Sequence, residues 1–161
     1  MWVEFYKREN KGRVLAGWDA TRNKRTRVPG AVMAAGKTIP HDLAQYVIEA
    51  SAGYRGGFWD LVARGATFKS TGRRRTKPGR AVIAAHRDEL AGAERLAGLH
   101  MAHWRARRPS QVTDDLDRAL AQWNELVPGQ RLVFAWPSAQ GSITDGPVSD
   151  RTTAAAAGRS G

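Results

Sequence analysis

The first residues of the chain alternate: Trp2, Glu4 and Tyr6 fall on one side of an extended strand, Val3, Phe5 and Lys7 on the other. A period of two is the pattern of a strand with one face buried. Asn10-Lys11-Gly12 follows as a turn, and Arg13-Val-Leu-Ala-Gly-Trp18 supplies a returning strand, so residues 2–19 predict an antiparallel β-hairpin. A hairpin alone is marginal in water, which obliges the rest of the chain to bring further strands and a covering layer.

The remaining elements follow from local signals. Arg22 to Arg27 predicts a second, exposed turn, and Val28 to Ala35 a short third strand confined to an edge by Pro29. A helix is expected over 38–52, capped by Thr38, with Pro40 in its first turn, Asp42 at the positive end of its dipole and Gly53 as its stop. Leu43, Val47 and Ala50 form its apolar stripe. A short helix is expected over 57–64 with Phe58, Leu61 and Val62 inward, then a basic loop over 69–79. From 79 to 107, Ile83, His86, Leu90, Ala93, Ala97, His100 and Trp104 recur at helical spacing and predict one long helix, with Gly92 and Gly98 as its weak points. Pro109 ends that run. Thr113 is then read as the cap of a further helix whose inner face is Leu116, Leu120, Trp123 and Val127, and Arg131 to Trp136 as a last strand able to join the hairpin. The fold class is α+β: an N-terminal antiparallel β-hairpin, joined by a C-terminal strand, packed against about four helices. Residues 1–137 make a single domain, and 138–161 have the composition of a disordered Ser/Gly/Ala/Thr-rich tail.

Composition narrows the function classes. With 161 residues and 42% apolar content the chain can build one core. It has no cysteine, which excludes a disulfide framework and thiol catalysis. No apolar run reaches the roughly 20 residues of a membrane span, and no signal peptide is legible, so the expected location is the cytoplasm, with no membrane partner. The formal charge is +11. The excess lies in residues 1–137, where two dense runs stand out: Arg22, Lys24, Arg25 and Arg27, and then Arg64 through Arg80 with Lys69, Arg73, Arg74, Arg75 and Lys77. Runs of this kind attract phosphate backbones or acidic proteins. Trp18 and Tyr54 are the aromatics that such a surface would offer for stacking on bases.

Candidate chemistry is sparse. His41, Gln45 and Glu49 stand at i, i+4 and i+8 on the 38–52 helix with Asp42 beside them, and a histidine with carboxylates on one helical face suits metal binding or proton transfer. The i+4 position that a zincin-type helix gives to a second histidine holds Gln45. The plainer reading makes Asp42 a dipole partner and His41 a packing residue. His100 and His103, at i and i+3, can share an ion only with ligands from elsewhere. His86 and His100 are about 21 Å apart on an unbroken helix and cannot share one. No phosphate loop, nucleophile elbow or dinucleotide fingerprint is present, and no cofactor is implied.

The blocks Ile39-Pro40-His41-Asp42-Leu43, Tyr46-Val47-Ile48-Glu49, Gly57-Phe58-Trp59 and Gly65-Ala66 resemble a family of small actinobacterial proteins of unknown function. The likeness extends to Trp123, Leu126, Pro128-Gly129, Leu132 and Trp136-Pro137. The resemblance implies a common fold. It also implies a histidine at the position of Gln45 and a glycine at that of Asp60, so a metal held by such a histidine pair would lack half its ligands here. Three readings of function stand. The first is a non-catalytic basic binding protein contacting nucleic acid or an acidic protein through the two basic runs. The second is a metal-assisted or acid–base enzyme centred on His41, Asp42 and Glu49. The third is an interaction protein that forms homo-oligomers through the 79–107 helix.

Overall fold

Register in the first hairpin follows from the turn between its strands. In the computed structural model, which describes residues 1–71 and 75–145, β1 (Trp2–Asn10) pairs antiparallel with β2 (Arg13–Arg22) from Trp2↔Thr21 to Asn10↔Arg13. Lys11 and Gly12 both take positive φ (51° and 74°), the mirror-image turn whose twist matches that of the flanking strands. A second tight turn at Asn23 and Lys24 leads into β3 (Thr26–Pro29). The expected strand over 28–35 is in fact two, β3 and β4 (Met33–Ala34), both pairing with β2 on the same edge. Pro29 lacks an N–H to carry the ladder onward, and Gly30 donates to the Trp18 carbonyl (2.8 Å) where the chain leaves the edge.

Five helices follow among the described residues, one more than the sequence suggested: α1 (His41–Ser51), α2 (Phe58–Arg64), α3 (Lys77–Ala85), α4 (Arg87–Arg105) and α5 (Thr113–Glu125). The 79–107 pattern is broken at His86, not at either glycine, and α3 begins at Lys77 inside the expected loop, where Thr76 Oγ1 accepts from Gly79 N–H (3.1 Å). The caps expected at Thr38 and Thr113 are filled by Pro40 and Val112. Thr113 is already helical and its hydroxyl accepts from Ser110 N–H. α1 ends as predicted at Gly53, through paired bonds from Gly53 N–H to Ala50 and from Tyr54 N–H to Glu49. β5 (Gln130–Ala135) joins β1, as the sequence suggested. The assumed tail is corrected over its first part: β6 (Gly141–Asp145) pairs with β5, with Ile143 opposite Leu132. The rest of that segment, from 146, lies outside the described residues.

The described residues form a six-stranded antiparallel sheet in the order β3-β2-β1-β5-β6, with β4 beside β3 on β2. Every strand residue of the core cluster comes from one face: Val3, Phe5, Ala16, Trp18, Ala20, Val28, Leu132 and Phe134, with Ile143 at its margin. α1 lies at the centre of the helical layer. Residues 43–49 are all buried, the mark of a helix covered on every side. Tyr46 and Trp59 meet Phe5 edge-on at centroid distances of 5.8 and 5.6 Å, and Trp59 meets Trp18 at 4.7 Å. Two expectations about faces are corrected. Trp59 is wholly buried while Phe58 is only half-buried, and Leu126, not Val127, turns inward after α5. No helix among the described residues is long and apolar enough to cross a membrane.

Candidate functional site

The polar face of α1 divides into two unrelated ends. His41 opens the helix, its side chain 71% exposed, with Nδ1 3.3 Å from Asp42 Oδ1. Asp42 Oδ2 accepts the indole N–H of buried Trp18 at 2.8 Å. The hydrogen bond to Asp42 holds the His41 imidazole above its ordinary pKa, against the opposing effect of burial. Glu49, two turns on, is fully buried and points elsewhere. Its carboxylate accepts the backbone N–H groups of Phe58 (3.0 Å) and Trp59 (2.9 Å), the first two residues of α2, and the Gln45 amide (2.9 Å). It therefore caps α2 from a neighbouring helix. A Cβ on Gly57 would lie 2.5 Å from Glu49 Oε2, so glycine there is what lets the carboxylate reach the backbone. Burial pushes the Glu49 carboxyl up to about 7, with Glu94 adding to the rise and the three hydrogen bonds opposing it.

Gln45 Nε2 also donates to Glu94 Oε1 on α4 (3.0 Å). A shallow cleft of about 180 Å³ opens above this bridge, lined by His41, Gln45, Glu94, Met101 and Arg105. The structure thus unites His41 with Asp42 and assigns Glu49 to a helix cap, so the trio does not converge. Nor do the other histidines. His100 Nε2 faces the Tyr54 hydroxyl at 3.1 Å, and burial and the nearby His103 lower the pKa of its ring. His86 binds Glu89 at the junction of α3 and α4. Among the described residues no three His, Cys, Asp or Glu side chains gather in a way that could hold a metal ion.

The basic runs behave differently. Arg22 and Gly65 are 43 positions apart in sequence, yet a Cβ on Gly65 would lie 2.9 Å from the Arg22 guanidinium. The β2–β3 tip therefore sits against the C-terminus of α2, and the two runs share one end of the molecule. Lys24, Arg25, Lys69, Arg75 and Lys77 are all exposed there, with Arg80 beside them on α3, and Arg73 and Arg74 lie outside the described residues. Arg27 and Arg64 are spoken for, bound to Asp19 and Asp60. Residues 20–41 and 61–87 contain no acid and carry 13 of the 26 Lys and Arg; the other 13 face all 15 acids, which leaves the remainder of the chain at −2. The charge excess is thus local. The first turn of α3 carries no acid and begins with Lys77, against the usual preference at the positive end of a helix dipole, so backbone and side chains add to the same positive field.

The stacking aromatics expected from sequence are corrected. Trp18 is 2% exposed inside the core and Tyr54 is engaged with His100. The exposed aromatic is Trp2, at 54%. The period-two pattern had already set it opposite Val3 and Phe5, and only the choice of buried face was missing. Comparison with protein-family models, curated proteins and solved structures finds no match to this chain.

Proposed function

We propose that this protein is a non-catalytic binding protein that grips the phosphate backbone of nucleic acid through the joined basic surface of the β2–β3 tip, the α2–α3 connection and the first turn of α3. The observation that carries the reading is the meeting of two acid-free segments at Arg22 and Gly65, with Lys24, Arg25, Lys69, Arg75, Lys77 and Arg80 exposed around that contact. A field of one sign, undiluted by acids and reinforced by a helix N-terminus, favours polyanions. These cations stand on turns and on the start of α3, which suits backbone contact and offers no element shaped to read base edges. The polar groups of α1 support this reading by default, since Glu49 is committed to capping α2 and Asp42 to Trp18.

The test is binding of short DNA and RNA, single-stranded and duplex, measured across a salt series. Engagement of about four phosphates gives a log–log slope of about −3.6 on duplex, or about a hundredfold loss of affinity between 50 and 200 mM salt. The double substitution Lys24→Ala/Arg25→Ala reduces that slope by up to about 2. Absence of binding at low salt, or binding with a flat salt profile, removes the proposal.

A further inference from the structure

Four of the six tryptophans (Trp18, Trp59, Trp104 and Trp123) are buried among core residues and Trp136 is half-buried; Trp2 alone is exposed, on the sheet face opposite the main core cluster, where Tyr6, packed over Gly17, and Asp19 are buried farther along the strands. Its register fixes its surroundings. Trp2 lies opposite Thr21 on β2 and Ala135 on β5, and Thr21 lies opposite Arg27 on β3. With strands about 4.8 Å apart, Arg27 stands about 10 Å across the face from Trp2. One residue past Thr21 the chain enters the Arg22–Thr26 turn, so Trp2 and the exposed Lys24 and Arg25 occupy the same end of the sheet. The acids closest to Trp2 on this face are already matched: Glu4 holds Arg131 at 2.7 Å and Asp19 holds Arg27 at 2.5 Å. An exposed indole thus borders a cationic tip, with the intervening negative charge neutralised.

Resting on the phosphate-binding reading above, we infer that the exposed end of this sheet face at Trp2 takes single-stranded nucleic acid, one base stacking on the Trp2 indole while the adjoining phosphates lie against Lys24 and Arg25. The two contacts are complementary in kind. Lys24 and Arg25 attract any phosphodiester chain, but the indole needs a base whose face is available. A duplex has its bases stacked on one another and presents none, so Trp2 adds affinity only for unpaired strands. Stacking is indifferent to base identity, and the surface therefore discriminates strand state, not sequence.

The experiment measures fluorescence anisotropy of a labelled single-stranded 12-mer and of the matching duplex. It compares the wild-type chain with Trp2→Ala, Trp2→Phe and Lys24→Ala/Arg25→Ala. Trp2→Ala is expected to weaken single-strand binding about tenfold to a hundredfold with the salt slope unchanged, and to leave duplex binding unaltered. Trp2→Phe, which keeps a ring, recovers most of that loss. The double cation variant weakens both ligands and flattens both slopes. Equal single-strand affinity in Trp2→Ala, or an equal loss on duplex, overturns the inference while the phosphate reading survives. Failure of the wild-type chain to bind either ligand at low salt overturns both. Because the side chain is more than half exposed, a melting curve suffices to show that each variant is folded.

Discussion

Glu49→Gln tests the interior polar device on which the helical layer depends. In the folded chain the carboxyl is fully buried, and burial raises its pKa from 4.5 to about 7. The unfolded chain keeps the ordinary value. Between those two limits the native state therefore binds a proton that the unfolded state does not. The contribution of this group is complete below the unfolded value and is lost as pH rises through the folded one. A shift of that size corresponds to about 3 kcal/mol, at about 1.4 kcal/mol per unit. Glutamine matches the shape of the protonated acid but sets an NH₂ group near the Phe58 and Trp59 N–H donors, which costs about 1–3 kcal/mol at every pH. The diagnostic quantity is thus a slope. Urea unfolding of wild type and variant from about pH 4.5 to about pH 8 should show the wild-type advantage shrinking by about 3 kcal/mol as the wild-type carboxyl ionises. Ionisable groups that do not interact with Glu49 cancel in the difference. Parallel stability curves would mean that the three hydrogen bonds offset burial and leave the Glu49 pKa at its ordinary value, and a gap widening with pH would mean a depressed pKa. Either result refutes the reasoning.

Substitutions at two further positions probe the frame around α1. Gly30→Ala would place a Cβ 2.1 Å from Cε2 of the Trp18 indole, and that ring is 2% exposed with Trp59 against it, so the change should cost about 3 kcal/mol in chemical denaturation; an unchanged midpoint would show that the edge chain moves aside. Asp42→Asn keeps an acceptor for the Trp18 N–H but removes the charge beside His41, so the His41 pKa, followed by NMR titration, should fall, whereas Asp42→Ala leaves the indole N–H without its partner and should also destabilise the fold by about 1–3 kcal/mol.

The sheet was more legible than the helices because its signals are local and agree with one another. Alternation in β1 and the Asn10-Lys11-Gly12 turn fix a register that the structure reproduces from Trp2↔Thr21 to Asn10↔Arg13. β5 could be placed beside β1 because Leu132 and Phe134 repeat the same period, whereas β6 escaped notice because Gly141, Ser142 and Thr144 carry no apolar period and Ile143 is its one core contact. The break between α3 and α4 was hidden by the apolar spacing, which runs through His86 without interruption. His86 leaves the helical dihedrals there (φ −123°, ψ 27°), with its ring beside Glu89 and Arg64, and sequence spacing does not reveal such a departure. Thr38 and Thr113 were misplaced as caps because these helices start at Pro40 and Val112, which offer no side-chain bond to the first N–H groups, against the usual preference for a polar cap.

The same distinction between local and tertiary information separates the two candidate sites. On a helix exposed along one side, His41, Gln45 and Glu49 would share a solvent-facing stripe, and that assumption is what made them look like a reactive face. α1 is instead surrounded, and a buried carboxylate has to find donors. Glu49 finds them in the backbone N–H groups at the start of α2, which makes a structural cap out of the residue that sequence spacing nominated for chemistry. The basic runs meet the opposite constraint. Lys24, Arg25, Lys69, Arg75, Lys77 and Arg80 stay exposed, so their position depends on where the β2–β3 tip and the α2–α3 connection lie. Packing of Arg22 against Gly65 brings those two places together. Charge that sequence could only count thereby becomes a surface, with the exposed Trp2 at its margin on the sheet face opposite the main core cluster.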